Sequence, residues 1–165
     1  MALGGTKTSA RNFTPMNTKT TSDREFVHTR CIDAPLEQVY LAFSLPDRLA
    51  RWWGPDGFSS TFETFDLRQG GTWRFVMHGP DGTNYPNENV FRELEPPSRV
   101  VIEHLSDDHH FFLTITFDAR GSQTLVSWRQ LFDSADHKEK VAALVRPANE
   151  QNLNRLQAEV ARVRT

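Results

Sequence analysis

Five short turn sequences between residues 58 and 132 constrain the fold of this chain more than any other feature. They are rich in glycine, proline, aspartate and serine, which favour tight turns, and they leave six segments of strand length between them. Connections this short join antiparallel neighbours, because a parallel pair needs a crossover of a dozen residues or more. The turns are Arg68-Gln69-Gly70-Gly71, Gly79-Pro80-Asp81-Gly82, Glu95-Pro96-Pro97-Ser98, Ser106-Asp107-Asp108 and Ala119-Arg120-Gly121-Ser122.

A further strand and two short helices precede this region. Residues 25–31 have β-branched and aromatic character, which predicts a strand that stops at Asp33-Ala34-Pro35. Asp33 is a suitable N-cap for a first helix, and Asp47 for a second over residues 47–53 that ends at Gly54-Pro55. The order is therefore strand, helix, helix, six strands.

The last segment, residues 134–164, predicts one long helix. Ser134 is a candidate cap, and apolar residues recur at helical spacing from Val141 to Val163. We expect Pro147 to kink or divide this helix, since proline lacks a hydrogen-bond donor. The economical fold is α+β, a strongly curved seven-stranded antiparallel sheet closed around the long C-terminal helix.

The amino-acid composition argues against some classes of binding partner. With 19 Lys+Arg against 21 Asp+Glu, the chain lacks the basic excess that nucleic-acid binding requires. It also lacks an apolar run of membrane-spanning or signal-peptide length, so we expect a cytoplasmic protein that binds neither nucleic acid nor membrane. Twelve Phe and four Trp suit a sheet that lines a wide cavity, and equally suit a filled aromatic core.

The sequence offers no standard catalytic or cofactor motif. It has no phosphate loop, dinucleotide fingerprint, nucleophile elbow or zinc-protease helix, so we expect no cofactor. The single cysteine, Cys31, excludes an intrachain disulfide and is interpreted as a small buried residue. His109 and His110 follow two aspartates, but successive strand residues point to opposite faces, so no metal site is expected.

The chain divides into an arm and a body. Residues 1–22 contain three basic residues, no acid and many Thr, Ser and Gly, which indicates a flexible N-terminal arm. The arm is either an untethered extension or lies against the acidic body. Residues 23–165 are predicted to form a single domain.

Several short motifs recur in one order along the body. They are Ala34-Pro35, Arg51-Trp52-Trp53-Gly54-Pro55, Asp66-Leu67-Arg68-Gln69-Gly70-Gly71-Thr72-Trp73-Arg74-Phe75, His78-Gly79-Pro80-Asp81-Gly82, Tyr85-Pro86-Asn87-Glu88, Pro96-Pro97-Ser98-Arg99 and Gln151-Asn152-Leu153-Asn154-Arg155-Leu156. In this order the chain resembles the activator of 90-kDa heat-shock-protein ATPase homologue-like family, in the SRPBCC or START-like helix-grip superfamily that includes birch-pollen-allergen-like proteins. The resemblance implies a helix-grip fold, a hydrophobic ligand, a role in stress, a heat-shock chaperone as an alternative partner, and a homodimer.

Two positions depart from the family pattern. Asn89 stands where relatives usually have glycine, and we expect a β-bulge to be retained there. Pro147-Ala148 replaces an acidic residue and glycine in the last helix, so any role that relatives assign to that acid is in doubt, while a break in the helix is expected to persist.

Strand alternation and the resemblance together give the candidate ligand-binding residues. His104 and Gln130 are the polar members and would orient a ligand, although a satisfied core histidine is the competing interpretation of His104. One of the two adjacent tryptophans, Trp52 and Trp53, is expected to pack in the core. The full set is Trp52, Trp53, Trp73, Phe75, Met77, Phe91, Ile102, His104, Leu113, Ile115, Trp128, Gln130, Leu144 and Gln151.

Three functions remain open from the sequence. The first is a binding protein for a small apolar or aromatic ligand held between sheet and helix, with little or no catalysis. The second is a chaperone-ATPase activator, as the family name implies. The third is a cyclase-like or hydrolase-like enzyme acting on a polyketide-like substrate, with His104 as acid or base.

Overall fold

The computed structural model describes residues 23–163, and its elements follow the predicted order. The predicted flexible arm, residues 1–22, lies outside the described residues. The elements are β1 (Glu25–Ile32), α1 (Leu36–Ser44), α2 (Pro46–Trp52), β2 (Ser59–Phe65), β3 (Thr72–His78), β4 (Asn84–Glu95), β5 (Arg99–His104), β6 (Phe111–Arg120), β7 (Gln123–Phe132) and α3 (Ala135–Val163).

All seven strands form one antiparallel sheet in the order β1-β7-β6-β5-β4-β3-β2. The five predicted turns connect β2 to β7 in sequence, and the N-terminal strand β1 pairs with the last strand, β7. The sheet is curved and carries bulges in β2 and β4, which bend strands and increase their twist. The predicted α+β helix-grip class is therefore confirmed.

The starts of the two short helices differ from the prediction. Pro35 is the N-cap of α1 and Leu45 that of α2, and neither makes a side-chain capping bond. Asp33 and Asp47 were therefore wrong as N-caps. Pro46 opens α2 one residue earlier than expected because the fixed φ of proline suits the first helical position.

The long helix α3 is continuous. Ser134 Oγ accepts a hydrogen bond from the backbone N–H of His137 at 3.1 Å, which confirms it as the cap. The expected break at Pro147 was wrong, because α3 runs through that residue. Proline deprives the carbonyl of Ala143 of its partner, but Ala143 is exposed, so water can satisfy that group.

One stripe of α3 packs against the sheet. Its buried residues include three polar ones among the aliphatic ones: Val145, Asn149, Asn152, Leu153, Leu156, Glu159 and Val160. Leu144 and Val163, which fit the predicted apolar spacing, are 73% and 42% exposed. Both residues lie beside the buried stripe rather than within it. Leu144 lines the cavity described below.

The densest part of the core lies between the two short helices and the sheet. Phe43 of α1 packs edge-on against Trp73 and Phe91, and Trp52 Nε1 donates a hydrogen bond to Ala42 O at 2.8 Å. Gly54 ends the turn after α2 with φ +105°, and a Cβ there would lie 2.7 Å from Met77 Cε. This position therefore requires glycine.

Two smaller predictions were wrong. Cys31 is exposed, because Phe26 and Ile32 place the even-numbered residues of β1 on the inner face and Cys31 points outward. Asn89 sits in regular register opposite Trp73 and His104 without a left-handed backbone, and the bulge of β4 lies between Phe91 and Glu93.

Candidate functional site

A cavity of about 510 Å³ lies between the concave face of the sheet and α3. Its walls come from the ends of β3 to β7, the turn after α2, and one face of α3. The lining residues are Trp53, Gly54, Pro55, Phe58, Phe75, Met77, Tyr85, Pro86, Asn87, Asn89, His104, His109, Phe111, Leu113, Trp128, Gln130, Leu144, Val145, Ala148, Asn149 and Asn152.

Strand alternation and register build the sheet side of the cavity. Phe75 and Met77 are two residues apart on β3, so both point to the same face. On the neighbouring strands β6 and β7, Leu113 lies directly opposite Gln130. Trp128, two residues before Gln130, continues the same face. These five residues are aromatic or aliphatic apart from Met77, a thioether, and Gln130, an amide.

Asn89 and His104 form the first polar pair of the cavity. They are opposite one another on β4 and β5, and His104 Nδ1 donates to Asn89 Oδ1 at 2.9 Å. This bond leaves Nε2 of the neutral ring as an acceptor. Burial, reinforced by the neighbouring His109 and His110, lowers the pKa of His104 to about 4. The imidazole is therefore neutral at pH 7.

Gln130 and Asn149 form the second polar pair. Asn149 Nδ2 on α3 donates to Gln130 Oε1 on β7 at 3.0 Å. Gln130 Nε2 makes no hydrogen bond within residues 23–163. It is also absent from the set of side-chain atoms in these residues that are completely buried without a partner. In a cavity-lining side chain that is 6% exposed, this donor is directed at the cavity. A ligand acceptor can therefore be recognised here.

One member of a close histidine pair lines the cavity. His109, in the loop between β5 and β6, lines the cavity, and its Nδ1 lies 3.1 Å from Nε2 of His137 in the first turn of α3. Burial, followed by the proximity of His137, lowers the pKa of His109. His110, by contrast, lies between Glu103 and Asp133, and its hydrogen bond with Glu103 raises its pKa.

The structure brings eight of the fourteen candidate residues to the cavity wall. These are Trp53, Phe75, Met77, His104, Leu113, Trp128, Gln130 and Leu144. Five others pack in the core away from the cavity: Trp52, Trp73, Phe91, Ile102 and Ile115. Gln151 lies outside it as well, where its Oε1 accepts a hydrogen bond from the backbone N–H of Asp56.

The sequence did not predict several wall residues, among them polar ones. Asn149 and Asn152 share the buried stripe of α3 with Val145, Leu153 and Leu156, so an amide at a core position was the signal that could have found them. Tyr85, which is 45% exposed, lies at the rim of the cavity, where the alternation of a strand does not predict a binding role.

The described part of the chain shows neither a metal cluster nor a membrane span. Among residues 23–163 no group of three or more His, Cys, Asp or Glu side chains is placed to hold a metal ion. Within the same residues no helix is both long and apolar enough to cross a bilayer.

The fold and the cavity define a helix-grip protein with an internal, largely apolar cavity. The family described as "Activator of Hsp90 ATPase homolog 1-like protein" matches residues 33–161, and the chain belongs to it. No curated protein matches the chain.

Solved structures share this architecture. A protein from Arthrobacter aurescens is 22% identical, with a TM-score of 0.80 over 88% of this chain and 90% of its own. A Nitrosomonas europaea protein is 17% identical, with a TM-score of 0.78 over 86% of this chain and 96% of its own. An AHSA1-like protein from Aeromonas hydrophila is 20% identical, with a TM-score of 0.68 over 84% of this chain and 92% of its own. At these identities the likeness shows the fold.

Proposed function

We propose that this protein binds a small, neutral, mostly apolar or aromatic ligand in the cavity between the sheet and α3. The observation that carries the proposal is the cavity itself, whose volume of about 510 Å³ falls within the range of about 300–1,000 Å³ typical of small-molecule sites. Most of its wall is aromatic or aliphatic, and burial of apolar ligand surface against such a wall is favourable.

The polar groups of the wall support a neutral ligand. No Asp, Glu, Lys or Arg is among the described residues that line the cavity. His104 is uncharged at pH 7, and a charged ligand would lose its hydration without gaining an ionic partner. Gln130 Nε2 and His104 Nε2 offer a donor and an acceptor, so a ligand with one or two neutral polar groups fits best.

The first test is native mass spectrometry of protein purified from its own host, followed by denaturing extraction. A retained small molecule in stoichiometric amount supports the proposal and gives the ligand class directly. Protein that is empty and gains no thermal stability from a broad panel of apolar compounds contradicts it, and favours a filled core.

A matched pair of variants on α3 localises the binding. Ala148 lines the cavity, whereas Ala143 is exposed and does not, so Ala148→Trp fills the cavity and Ala143→Trp adds the same side chain outside. With N-phenyl-1-naphthylamine, a neutral apolar fluorophore, we expect Ala148→Trp to weaken binding at least tenfold and Ala143→Trp to leave it unchanged. Equal affinities would place the fluorophore elsewhere.

Membership of the family supports a second candidate, stimulation of the 90-kDa heat-shock chaperone ATPase. The test adds purified protein to that chaperone and measures ATP turnover. Unchanged turnover over a range of protein concentrations rules this candidate out. The homodimer expected from the family stays a prediction.

The enzymatic candidate is weakened by the state of His104. A group with a pKa of about 4 is almost fully deprotonated at pH 7, so it is a poor general acid and a weak base there. The cyclase-like or hydrolase-like function would therefore require a different acid. We place ligand binding without catalysis first.

A further inference from the structure

Three arginines converge on one buried carboxylate that does not line the apolar cavity. Glu159 of α3 is 4% exposed. Its Oε2 accepts from Arg48 Nε at 2.9 Å and Arg162 Nη2 at 2.9 Å, and its Oε1 accepts from Arg51 Nε at 2.9 Å and Arg162 Nε at 3.0 Å. Arg48 and Arg51 lie on α2, so this cluster joins α2 to the end of α3.

The cluster has an excess of positive charge. Burial alone would raise the pKa of Glu159, but the hydrogen bonds from Arg162, Arg48 and Arg51 lower it to about 2, so the group carries one negative charge against three positive ones. A guanidinium has five N–H donors, and Arg51 uses only Nε within the described residues. Arg162 uses Nε and Nη2.

The unused donors belong to accessible side chains. The side chains of Arg51 and Arg162 are 54% and 47% exposed, whereas that of Arg48 is 14% exposed. Glu159 anchors both exposed guanidiniums by an inner nitrogen, which fixes their position while leaving Nη groups for a ligand. This removes part of the entropy cost that binding by free surface arginines would carry.

Arg51 and Arg162 line a separate pocket of about 430 Å³ together with Glu159 and Arg155, whereas Arg48 does not. Ala50 and Ala158 leave room between them, and Ser59 adds a hydroxyl at the edge. Arg155 forms a rigid wall, since its Nη1 donates to the carbonyls of Gly54 and Pro55 and its Nη2 to that of Arg51. The pocket shares no lining residue with the apolar cavity.

Glu159 pairs with three of these four arginines, and Asp56 faces the fourth, Arg155. The pocket therefore keeps a positive charge, and planar guanidiniums match the geometry of carboxylate and phosphate oxygens. We propose that the pocket formed by Arg51, Arg155, Arg162 and Ser59 binds a small oxyanion, a phosphate or carboxylate group, through the free donors of Arg51 and Arg162. This proposal is independent of the ligand in the apolar cavity.

Titration calorimetry of the whole chain tests the proposal, with inorganic phosphate in one arm and citrate in the other. Sodium chloride at the same ionic strength controls for screening. Saturable one-to-one binding of phosphate, citrate or both supports the site, and the preferred ion tells a phosphate-bearing ligand from a carboxylate-bearing one. Heats no different from those of chloride in both arms overturn it.

Three single variants localise the binding. We expect Arg51→Gln and Arg162→Gln each to weaken it at least tenfold, because each removes one guanidinium. Arg74→Gln, at a 50% exposed arginine paired with Glu88 on the sheet, should leave the affinity unchanged. The assignment to this pocket is refuted if all three variants lose affinity equally, or if none of them loses affinity.

Folding of the variants is checked separately. Arg162 is one residue before Val163, where the described part of α3 stops, and its side chain is 47% exposed, so Arg162→Gln perturbs little packing. Circular dichroism and thermal unfolding of Arg51→Gln and Arg162→Gln should match those of Arg74→Gln within a few degrees. If Arg51→Gln unfolds, Arg162→Gln alone decides, and unweakened binding by it refutes the proposal.

Discussion

Asn149 on α3 and Gln130 on β7 are joined by a hydrogen bond of 3.0 Å, although the two residues are only 7% and 6% exposed. The bond ties the long helix to the sheet at the cavity wall. It also fixes the orientation of the Gln130 amide, since Oε1 accepts from Asn149 and Nε2 is left for a ligand. The proposed ligand recognition and the docking of the helix therefore depend on the same pair.

Removing one partner should cost more than removing both. Asn149→Leu deletes the donor and leaves Gln130 Oε1 unsatisfied, so we expect the free energy of unfolding to fall by about 1 to 3 kcal/mol. Asn149→Leu with Gln130→Leu removes both polar groups and should recover much of that loss. Urea unfolding of the two single variants and the double variant measures the coupling. A double-variant loss equal to the sum of the single losses contradicts this account.

The sequence predicts the sheet and its inner face well, because both follow from local patterns. The alternation of Trp73, Phe75 and Met77 correctly predicts that they share the inner face of the sheet. It does not predict which of them are covered by the core and which reach the cavity. Trp73 is covered by Phe43 of α1 and belongs to the core, whereas Phe75 and Met77 reach the cavity. That difference depends on where α1 packs, which is a tertiary contact.

The polar part of the site was less predictable for a related reason. His104 and Gln130 stand out on an otherwise apolar strand face, so they were found. Asn149 becomes meaningful only when α3 is docked against β7. The Glu159 cluster was missed because its arginines come from elements separated by about a hundred residues of sequence. Their convergence leaves no local pattern.

The cavity rim can be altered without harm to the fold. Leu144 is 73% exposed but lines the cavity, so Leu144→Ser should change the free energy of unfolding by no more than about 0.5 kcal/mol. We expect it to weaken binding of N-phenyl-1-naphthylamine a few-fold, because the rim loses apolar contact area. Val163→Ser is the control, because Val163 is also an exposed apolar residue of α3 but does not line the cavity. A loss of the same size in both variants would argue against a role for the rim.

Glu159 should contribute stability that is lost only in strong acid. Its pKa is lowered from 4.5 to about 2, so the ionised form stabilises the fold above about pH 4.5 and that contribution falls as the pH drops towards 2. Glu159→Gln should lower the free energy of unfolding at pH 7 by about 2 kcal/mol, since Arg48 loses its partner in a largely buried position.

The same variant has a characteristic pH profile. Chemical denaturation between pH 6 and pH 2 should show the wild type losing its advantage over Glu159→Gln mainly below about pH 4.5. Glu88→Gln, which removes one partner of an exposed ion pair with Arg74, serves as the control and should have a small effect at every pH. A difference between wild type and Glu159→Gln that stays constant with pH would contradict the ionic account.

His104 should make the protein less stable in mild acid, in a window above that of Glu159. Because burial lowers its pKa from 6.5 to about 4, the unfolded chain takes up this proton first, and the free energy of unfolding falls as the pH drops from about 6.5 to 4. The loss should reach at most about 3 kcal/mol, as one pKa unit corresponds to about 1.4 kcal/mol.

The shifted pKa values of His109 and His110 also affect how stability depends on pH. Single variants separate their effects from that of His104. The lowered pKa of His109 adds to the acid sensitivity. The raised pKa of His110 acts at higher pH, because protonated His110 stabilises the fold fully below about pH 6.5 and this contribution is lost as the pH rises through the raised pKa. His104→Gln retains a hydrogen-bonding side chain beside Asn89 and should flatten the stability profile between pH 6.5 and 4. His110→Gln should leave that slope nearly unchanged, and should remove the stability that the wild type gains as the pH falls towards 6.5. Identical slopes in wild type and His104→Gln would show that the imidazole titrates normally, and the argument for a neutral cavity wall would then fail.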